Sequence, residues 1–140
     1  MKDYRRKCPK IGEVYLICFD GKGSVQRGWR PGLIIQNNVG NQYSPNVIAL
    51  PLTSAIKHVD QPTHVYLPAK NTGLKIDSMV LCENPETVPK DMIKNYITDL
   101  PLEYMAAVAK ALARSMPLIS FLSRNEMSQM WYELSYSGAR

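Results

Sequence analysis

The stretch of sequence that decides the fold is Arg27-Gly28-Trp29-Arg30-Pro31-Gly32-Leu33-Ile34-Ile35-Gln36-Asn37. A charged loop that contains glycine leads here into a strand, residues 32–36, which is apolar enough to be buried on both faces. Pro31 biases the preceding Arg30 toward extended backbone, so we expect its guanidinium at a fixed place on the rim of a sheet. A planar, permanently charged group with five donors is suited to binding phosphate.

Runs rich in β-branched and aromatic residues predict five strands, at residues 11–18, 32–36, 46–52, 64–67 and 77–82. Between them we predict a loop, a turn and a polar connection, at residues 20–28, 37–41 and 54–60 respectively. Pro51 indicates that the third strand has a bulge or lies at an edge. Short strands that lack crossover helices pair mainly antiparallel, and a small curled barrel protects their edges.

The pattern becomes helical after Pro89, with a predicted helix start at residues 98–101. Apolar residues then recur at helical spacing and form one stripe: Leu102, Met105, Ala106, Ala109, Leu112, Ala113 and Met116. We expect this stripe to pack over an open face of the barrel and Pro117 to end the helix. A second helix is predicted at residues 125–134.

These elements predict one domain over residues 1–140 that is mainly β with a C-terminal α part, an α+β fold. A small barrel of about five to six strands is expected at about residues 11–88. An amphipathic C-terminal helix belongs to the helical part at about residues 99–134.

The composition favours a globular, basic protein, with 45% hydrophobic residues, a formal net charge of +5 and a pI of about 9.2. A basic balance favours a polyanionic partner such as nucleic acid. No apolar run approaches the ~20 residues of a membrane span, and no secretion segment follows the N-terminus. We therefore expect a cytoplasmic protein without a membrane partner.

Cys18 and Cys82 lie in strand-like runs and are expected to be buried free thiols.

The third predicted strand ends in hydroxyls, because Thr53 and Ser54 follow Leu52. A fixed arginine and strand-end hydroxyls together suit a phosphodiester, although each residue alone is also typical of ordinary structure. Arg30 could bond loop carbonyls at the rim, and Thr53 could simply close a strand. His58 and His64 raise the further alternative of a paired-histidine ribonuclease, but nothing in the sequence sets them across a phosphate.

Ordered short motifs run from about residue 11 to residue 94: Gly12-Glu13-Val14-Tyr15, Gly23-Ser24-Val25-Gln26, Arg30 to Asn37, Gly40-Asn41, Ser44-Pro45, Leu52-Thr53-Ser54, Pro62-Thr63-His64-Val65, Gly73-Leu74, Asp77-Ser78 and Glu83. In this order and spacing the chain resembles the MazF/PemK family of toxin endoribonucleases. The resemblance implies an SH3-like barrel with a C-terminal helix, working as a homodimer. It also implies cleavage of single-stranded RNA at short specific sequences without a metal ion or cofactor, and inhibition by a cognate antitoxin.

The resemblance assigns roles to particular residues. Arg30 matches the family's catalytic arginine and Thr53 its catalytic threonine, with Ser54 beside it as an RNA-binding hydroxyl. The remaining matches are RNA-binding positions: Ser24 and Gln26 in the loop, and the pair Glu83 and Asn84, where Asn stands in place of the usual Gln. The alternatives are that the loop residues are merely solvated and that Glu83 is an internal hydrogen-bond acceptor.

The chain also departs from the family. Relatives often carry Arg two positions after the amide, where this chain has Glu86, and Val88 stands near a position that is acidic in some members. A negative charge at Glu86 would weaken phosphate binding. The second functional hypothesis is therefore a catalytically inactive relative that acts as a nucleic-acid-binding or topoisomerase-binding module. A third, a purely structural dimer, does not explain Arg30 and its neighbouring hydroxyls.

Attack by the ribose 2′-OH, leaving a 2′,3′-cyclic phosphate and a 5′-hydroxyl, needs a base, an acid and cationic support. Arg30 is assigned to phosphate positioning and charge stabilisation, because arginine is effectively never deprotonated in proteins. Thr53 is assigned a hydrogen bond to a non-bridging oxygen. The sequence does not identify the general base.

Overall fold

The computed structural model describes residues 8–20 and 27–136. In these ranges it has seven strands: β1 (Glu13–Asp20), β2 (Arg27–Ile34), β3 (Asn46–Thr53), β4 (His64–Leu67), β5 (Ser78–Leu81), β6 (Glu86–Pro89) and β7 (Ile93–Asp99). The α-helices of the same ranges are α1 (Asn38–Tyr43), α2 (Ala69–Thr72), α3 (Leu102–Ser115) and α4 (Arg124–Tyr136). The predicted class, mainly β with C-terminal helices, is confirmed.

The strands form one antiparallel sheet in the order β4-β5-β3-β2-β1-β7, and β6 pairs with β3 beside this path. Within the described residues the sheet is not closed, so it is more open than the predicted barrel. None of the helices in this part of the chain has both the length and the apolar character of a membrane span.

Successive side chains of a strand point to opposite sides of the sheet. The central strands bury side chains on both of these sides. On β2, Leu33 belongs to a core that α3 covers, and Ile34 belongs to a second core on the other face. The second core lies between β1–β3 and the residues Val88 and Ile93 of the last strands. The predicted two-sided burial of residues 32–36 therefore holds for its first residues, and Ile35 is half-buried.

Pro51 lies where β3 changes its partner. On one side β3 pairs with β6 up to Ala49, and from Leu52 it pairs with β5. Proline lacks the N–H that a ladder requires, so the gap between the two partners is a suitable place for it. The expected interruption is present, but β3 is an inner strand and not an edge.

Two strands and two short helices were not predicted from the sequence. The strands β6 and β7 extend the sheet to residue 99, beyond the limit of about 88 predicted for the barrel. The predicted turn at residues 37–41 is instead the start of α1, whose first turn Asn37 caps by accepting from the Gly40 N–H at 2.8 Å. Asparagine favours both turns and helix N-caps because its side chain bonds nearby backbone N–H groups.

The helix α3 is predicted correctly in position, but its buried face overlaps the predicted stripe only in part. Val108 and Ala111 are the buried residues, whereas Leu102 is 85% exposed and Ala106 and Ala109 are also exposed. Met105 and Leu112 of the stripe do pack against the core, together with Tyr104 and Ala107, so the buried face is rotated away from Leu102. The predicted second helix, residues 125–134, is confirmed as α4.

Candidate active site

Arg30 lies in β2 opposite Ile17 of β1. Its side chain is half-buried and its Nε atom is fully buried, so the Nε end of the guanidinium group packs against the protein. At Gly32, two residues after Arg30, the structure leaves no room for a side chain. A Cβ there would lie 2.7 Å from Phe19 Cζ and 2.8 Å from Ile17 Cδ1. Two core side chains therefore pack directly against the backbone that carries Arg30.

Thr53 is the last residue of β3 and pairs with Met79 of β5. Its hydroxyl accepts a hydrogen bond from the Ala55 N–H at 3.1 Å. Because a hydroxyl has one hydrogen of its own, this acceptor role leaves Thr53 able to donate to a ligand. Ser54 follows and is exposed.

Glu83 and Asn84 lie in the turn between β5 and β6. The Glu83 Oε2 atom is 3.0 Å from the Nε2 atom of His64, and the Glu83 side chain is about one-third exposed. The Asn84 backbone N–H donates to the Leu81 carbonyl at 3.1 Å. Glu83 is therefore an internal hydrogen-bond acceptor, as one of the alternatives had it, and still reaches the surface.

The histidines do not form a catalytic pair across an open site. The His64 side chain is only 7% exposed, and its Nδ1 atom lies 2.9 Å from the backbone carbonyl oxygen of His58. With Nε2 bound to Glu83, neither ring nitrogen of His64 is left for a phosphate. The interpretation as a paired-histidine ribonuclease is not supported.

Trp29 points to the opposite face of β2 from Arg30, because side chains alternate along a strand. It is 45% exposed, and the Lys94 Nζ atom lies 4.5 Å from its ring centroid. Lysine over an indole face is a favourable cation–π contact. Ser24 and Gln26, the predicted RNA-binding loop residues, lie outside the described residues.

Buried ionisable groups occur close to these residues. Burial, with a smaller contribution from the charge of Asp20, raises the pKa of Glu86 above its ordinary value, and one of its carboxylate oxygens is buried. Burial raises the pKa of the Cys82 thiol to about 12, so this cysteine is an inert free thiol, as predicted. Cys18 is free but only half-buried.

The described part of the chain contains no cluster of metal-ligating side chains. Across residues 8–20 and 27–136, no three His, Cys, Asp or Glu side chains are grouped as metal ligands.

One feature that sequence analysis did not find is the groove of about 420 Å³ between β4 and α3. His64 and Tyr66 line it on the strand side, and Lys110 and Arg114 on the helix side. The four-residue spacing of Lys110 and Arg114 indicates a shared helix face. Their position opposite His64 depends on how α3 packs against β4, and the sequence does not reveal that packing.

Comparison with known proteins agrees with this geometry. Residues 10–116 match the family of PemK-like, MazF-like toxins of type II toxin–antitoxin systems. The chain is 41% identical over 113 residues to endoribonuclease EndoA of Bacillus subtilis (strain 168), covering 80% of this chain and 97% of the relative. It is 40% identical over 111 residues to endoribonuclease MazF of Staphylococcus epidermidis, covering 79% and 92%.

Solved structures give the same assignment. An endoribonuclease from a mycobacterial species, solved in complex with its cognate antitoxin, superimposes with a TM-score of 0.63 at 29% identity. The match covers 79% of this chain and 96% of that one. The fold, the ordered motifs and these relatives therefore identify the chain as a member of the PemK-like, MazF-like family of toxins of type II toxin–antitoxin systems.

Proposed function

We propose that this chain is a metal-independent, sequence-specific endoribonuclease that acts as the toxin of a toxin–antitoxin pair. Relatives at 40–41% identity over most of the chain are endoribonucleases by name. The proposed catalytic residues are Arg30 and Thr53. RNA-binding roles are proposed for Ser54, Glu83 and Asn84, and, from the sequence, for Ser24 and Gln26.

The register of β2 and β3 is the observation that carries the site assignment. The two strands are antiparallel, with Gly32 opposite Pro51. Two residues beyond this pair lie Arg30 in β2 and Thr53 at the end of β3. Because side chains alternate, Arg30 shares a face with Gly32, and Thr53 shares a face with Pro51. The register therefore favours one phosphate-sized site that both side chains flank.

The chemistry follows from the residue types. The permanently charged guanidinium of Arg30 positions the scissile phosphate and stabilises the charge that develops when the 2′-OH attacks. Thr53 donates to a non-bridging oxygen. The intramolecular attack leaves a 2′,3′-cyclic phosphate and a 5′-hydroxyl. His64 is excluded as the general base, since Glu83 and the His58 carbonyl engage its ring. The base is left unassigned.

The partners follow from the family. A structural relative was solved with its cognate antitoxin, so we propose that an antitoxin protein inhibits this chain as well. We further propose that the protein is a homodimer, that its substrate is single-stranded RNA and that it is cytoplasmic.

The test is cleavage of a long RNA pool by the purified protein in the presence of EDTA. We expect fragments at one short recurring sequence, with 2′,3′-cyclic phosphate and 5′-hydroxyl ends. The mapped site is then placed in an oligoribonucleotide with a single 2′-deoxyribose at the cut position. We expect this oligonucleotide to stay intact, because its nucleophile is missing.

Two outcomes would contradict the proposal. Cleavage at the 2′-deoxyribose would rule out attack by the 2′-OH. Absence of fragments from every RNA, with RNA binding retained, would instead favour the inactive binding module.

A further inference from the structure

The His64 imidazole has a hydrogen-bond partner at each of its two ring nitrogens. Its Nδ1 atom lies 2.9 Å from the His58 carbonyl oxygen, and its Nε2 atom lies 3.0 Å from Glu83 Oε2. The side chain is only 7% exposed. The ring itself is therefore largely covered, although its partners His58 and Glu83 reach the surface.

Both partners of the ring are acceptors. A backbone carbonyl has no hydrogen to donate, and an ionised carboxylate has none either. Each ring nitrogen must then carry a hydrogen, and only the imidazolium form has two. A neutral His64 would have one N–H and would lose one of the two bonds.

The ring joins two segments that adjoin proposed site residues along the chain. His58 belongs to the connector of residues 54–63, which begins directly after Thr53, and Glu83 lies in the turn that follows β5. His64 itself is in β4, opposite Leu81 of β5. A backbone bond from the Cys82 N–H to the Thr63 carbonyl, 3.0 Å, links the same two segments.

The connector also contains a strained residue that this bond helps to hold. His58 has a φ of 55°, a left-handed backbone conformation that is uncommon and strained for a non-glycine residue. Its carbonyl oxygen accepts both from His64 and from the Gln61 N–H at 3.0 Å. Loss of the His64 bond therefore weakens the turn at residues 58–61 of the connector.

We propose that His64 is a positioning residue for RNA binding, which as an imidazolium holds the Glu83 carboxylate and the connector after Thr53 in their binding arrangement. The inference rests on the proposed function, since it deepens the role of the same site. His64 does not touch the scissile phosphate in this account. It acts through Glu83 and through the connector.

Other charged groups surround the ring. On α3 these groups are Glu103, Lys110 and Arg114, which line the same groove as His64. The connector contributes Lys57, His58 and Asp60, and the β5–β6 turn contributes Glu83. Asp77 lies beyond the far end of β4, where it accepts a hydrogen bond from Tyr66. In the described part of the chain, Glu83 is the charged group within hydrogen-bond distance of the ring.

The experiment uses the fact that the chain has two histidines. His58→Asn removes the other imidazole, and asparagine tolerates a positive φ, so every imidazole signal then belongs to His64. We expect ¹⁵N NMR of this variant at pH 5.5 to show both ring nitrogens protonated. A signal from one neutral tautomer at pH 5.5 would overturn the proposal.

RNA binding gives the functional readout. The probe is the uncleavable oligonucleotide with 2′-deoxyribose at the mapped cut site. In the His58→Asn background we expect its affinity to fall about tenfold between pH 5.5 and pH 8, as loss of one charge-assisted hydrogen bond implies. His64→Gln in the same background is expected to bind weakly and equally at both pH values.

Because His64 is nearly buried, thermal unfolding is used to check that His64→Gln folds. Glu83→Gln keeps the ring and removes the carboxylate charge, so it provides a second test and should also flatten the pH dependence. An equal pH dependence with and without His64 would overturn the inference and leave the nuclease proposal standing. Failure to bind RNA at any pH would overturn both.

Discussion

At the scale of single residues, Glu86 is the main departure from the family. It begins β6 opposite Ala49, and one carboxylate oxygen is buried without a hydrogen-bond partner among the described residues. Burial raises its pKa, so the protein favours its neutral form more than water does.

The raised pKa of Glu86 predicts a pH-dependent effect on stability. Because the folded state binds this proton more tightly than the unfolded state, ionised Glu86 destabilises the fold as pH rises above 4.5, the ordinary value. We expect Glu86→Gln to raise the free energy of unfolding at pH 7.5, with a smaller gain at pH 4.5. Urea unfolding at both pH values measures this.

Glu133→Gln on the exposed α4 corrects for the loss of one negative charge at the surface. A Glu86→Gln variant that is less stable than the wild type at pH 7.5, but not at pH 4.5, would contradict the assignment of a raised pKa.

Strand positions were easier to predict from the sequence than side-chain contacts. Thr53 directly follows the predicted strand 46–52 and ends β3, and Arg30 lies on the neighbouring β2. The bond between Glu83 and His64 was not predictable, because the two residues are 19 positions apart and meet only through the pairing of β4 with β5. Such contacts depend on strand register, which short motifs do not specify.

At the scale of elements, β7 and α3 show where a periodic pattern fails. The strand β7 pairs with β1 through register shifts and is mostly half-buried or exposed, so its sequence does not alternate cleanly. In α3, alanine and larger apolar residues occur on more than one face. The pattern therefore gave the limits of the helix but not which face packs against the core.

This rotation of α3 is testable with two substitutions on the same helix. Leu102 is 85% exposed and Ala111 is 1% exposed. We expect Leu102→Ala to change the free energy of unfolding by no more than about 0.5 kcal/mol. Ala111→Leu inserts a larger side chain into a filled core and should cost about 1–3 kcal/mol. Urea unfolding that ranked the two variants in the reverse order would restore the face predicted from the sequence.

At the scale of the whole molecule, the family match ends at residue 116 and α4 lies beyond it. The described residues of α4 include none that is buried. Large side chains such as Trp131 and Tyr136 are 67% and 70% exposed. The fold that the family shares is therefore expected to be complete without this segment.

Truncation after Met116 tests that expectation. We expect the free energy of unfolding to change by no more than about 1 kcal/mol, because the core loses no buried side chain. RNA cleavage should be retained. Truncation after Leu100, which also removes Val108 and Ala111 from the core, serves as the control and should not fold. Loss of folding on removal of residues 117–140 alone would show that α4 belongs to the core unit.

The central claim is that the Arg30 guanidinium supports the charge that develops on the scissile phosphate, and the cleavage rate of Arg30→Ala tests it most directly. We predict a fall in rate of about 10²–10³-fold or more, with a melting temperature close to that of the wild type. Arg30→Lys, which keeps the charge but loses the planar fork, should lie between the two. A folded Arg30→Ala protein that cleaves RNA within a few-fold of the wild-type rate would contradict the account.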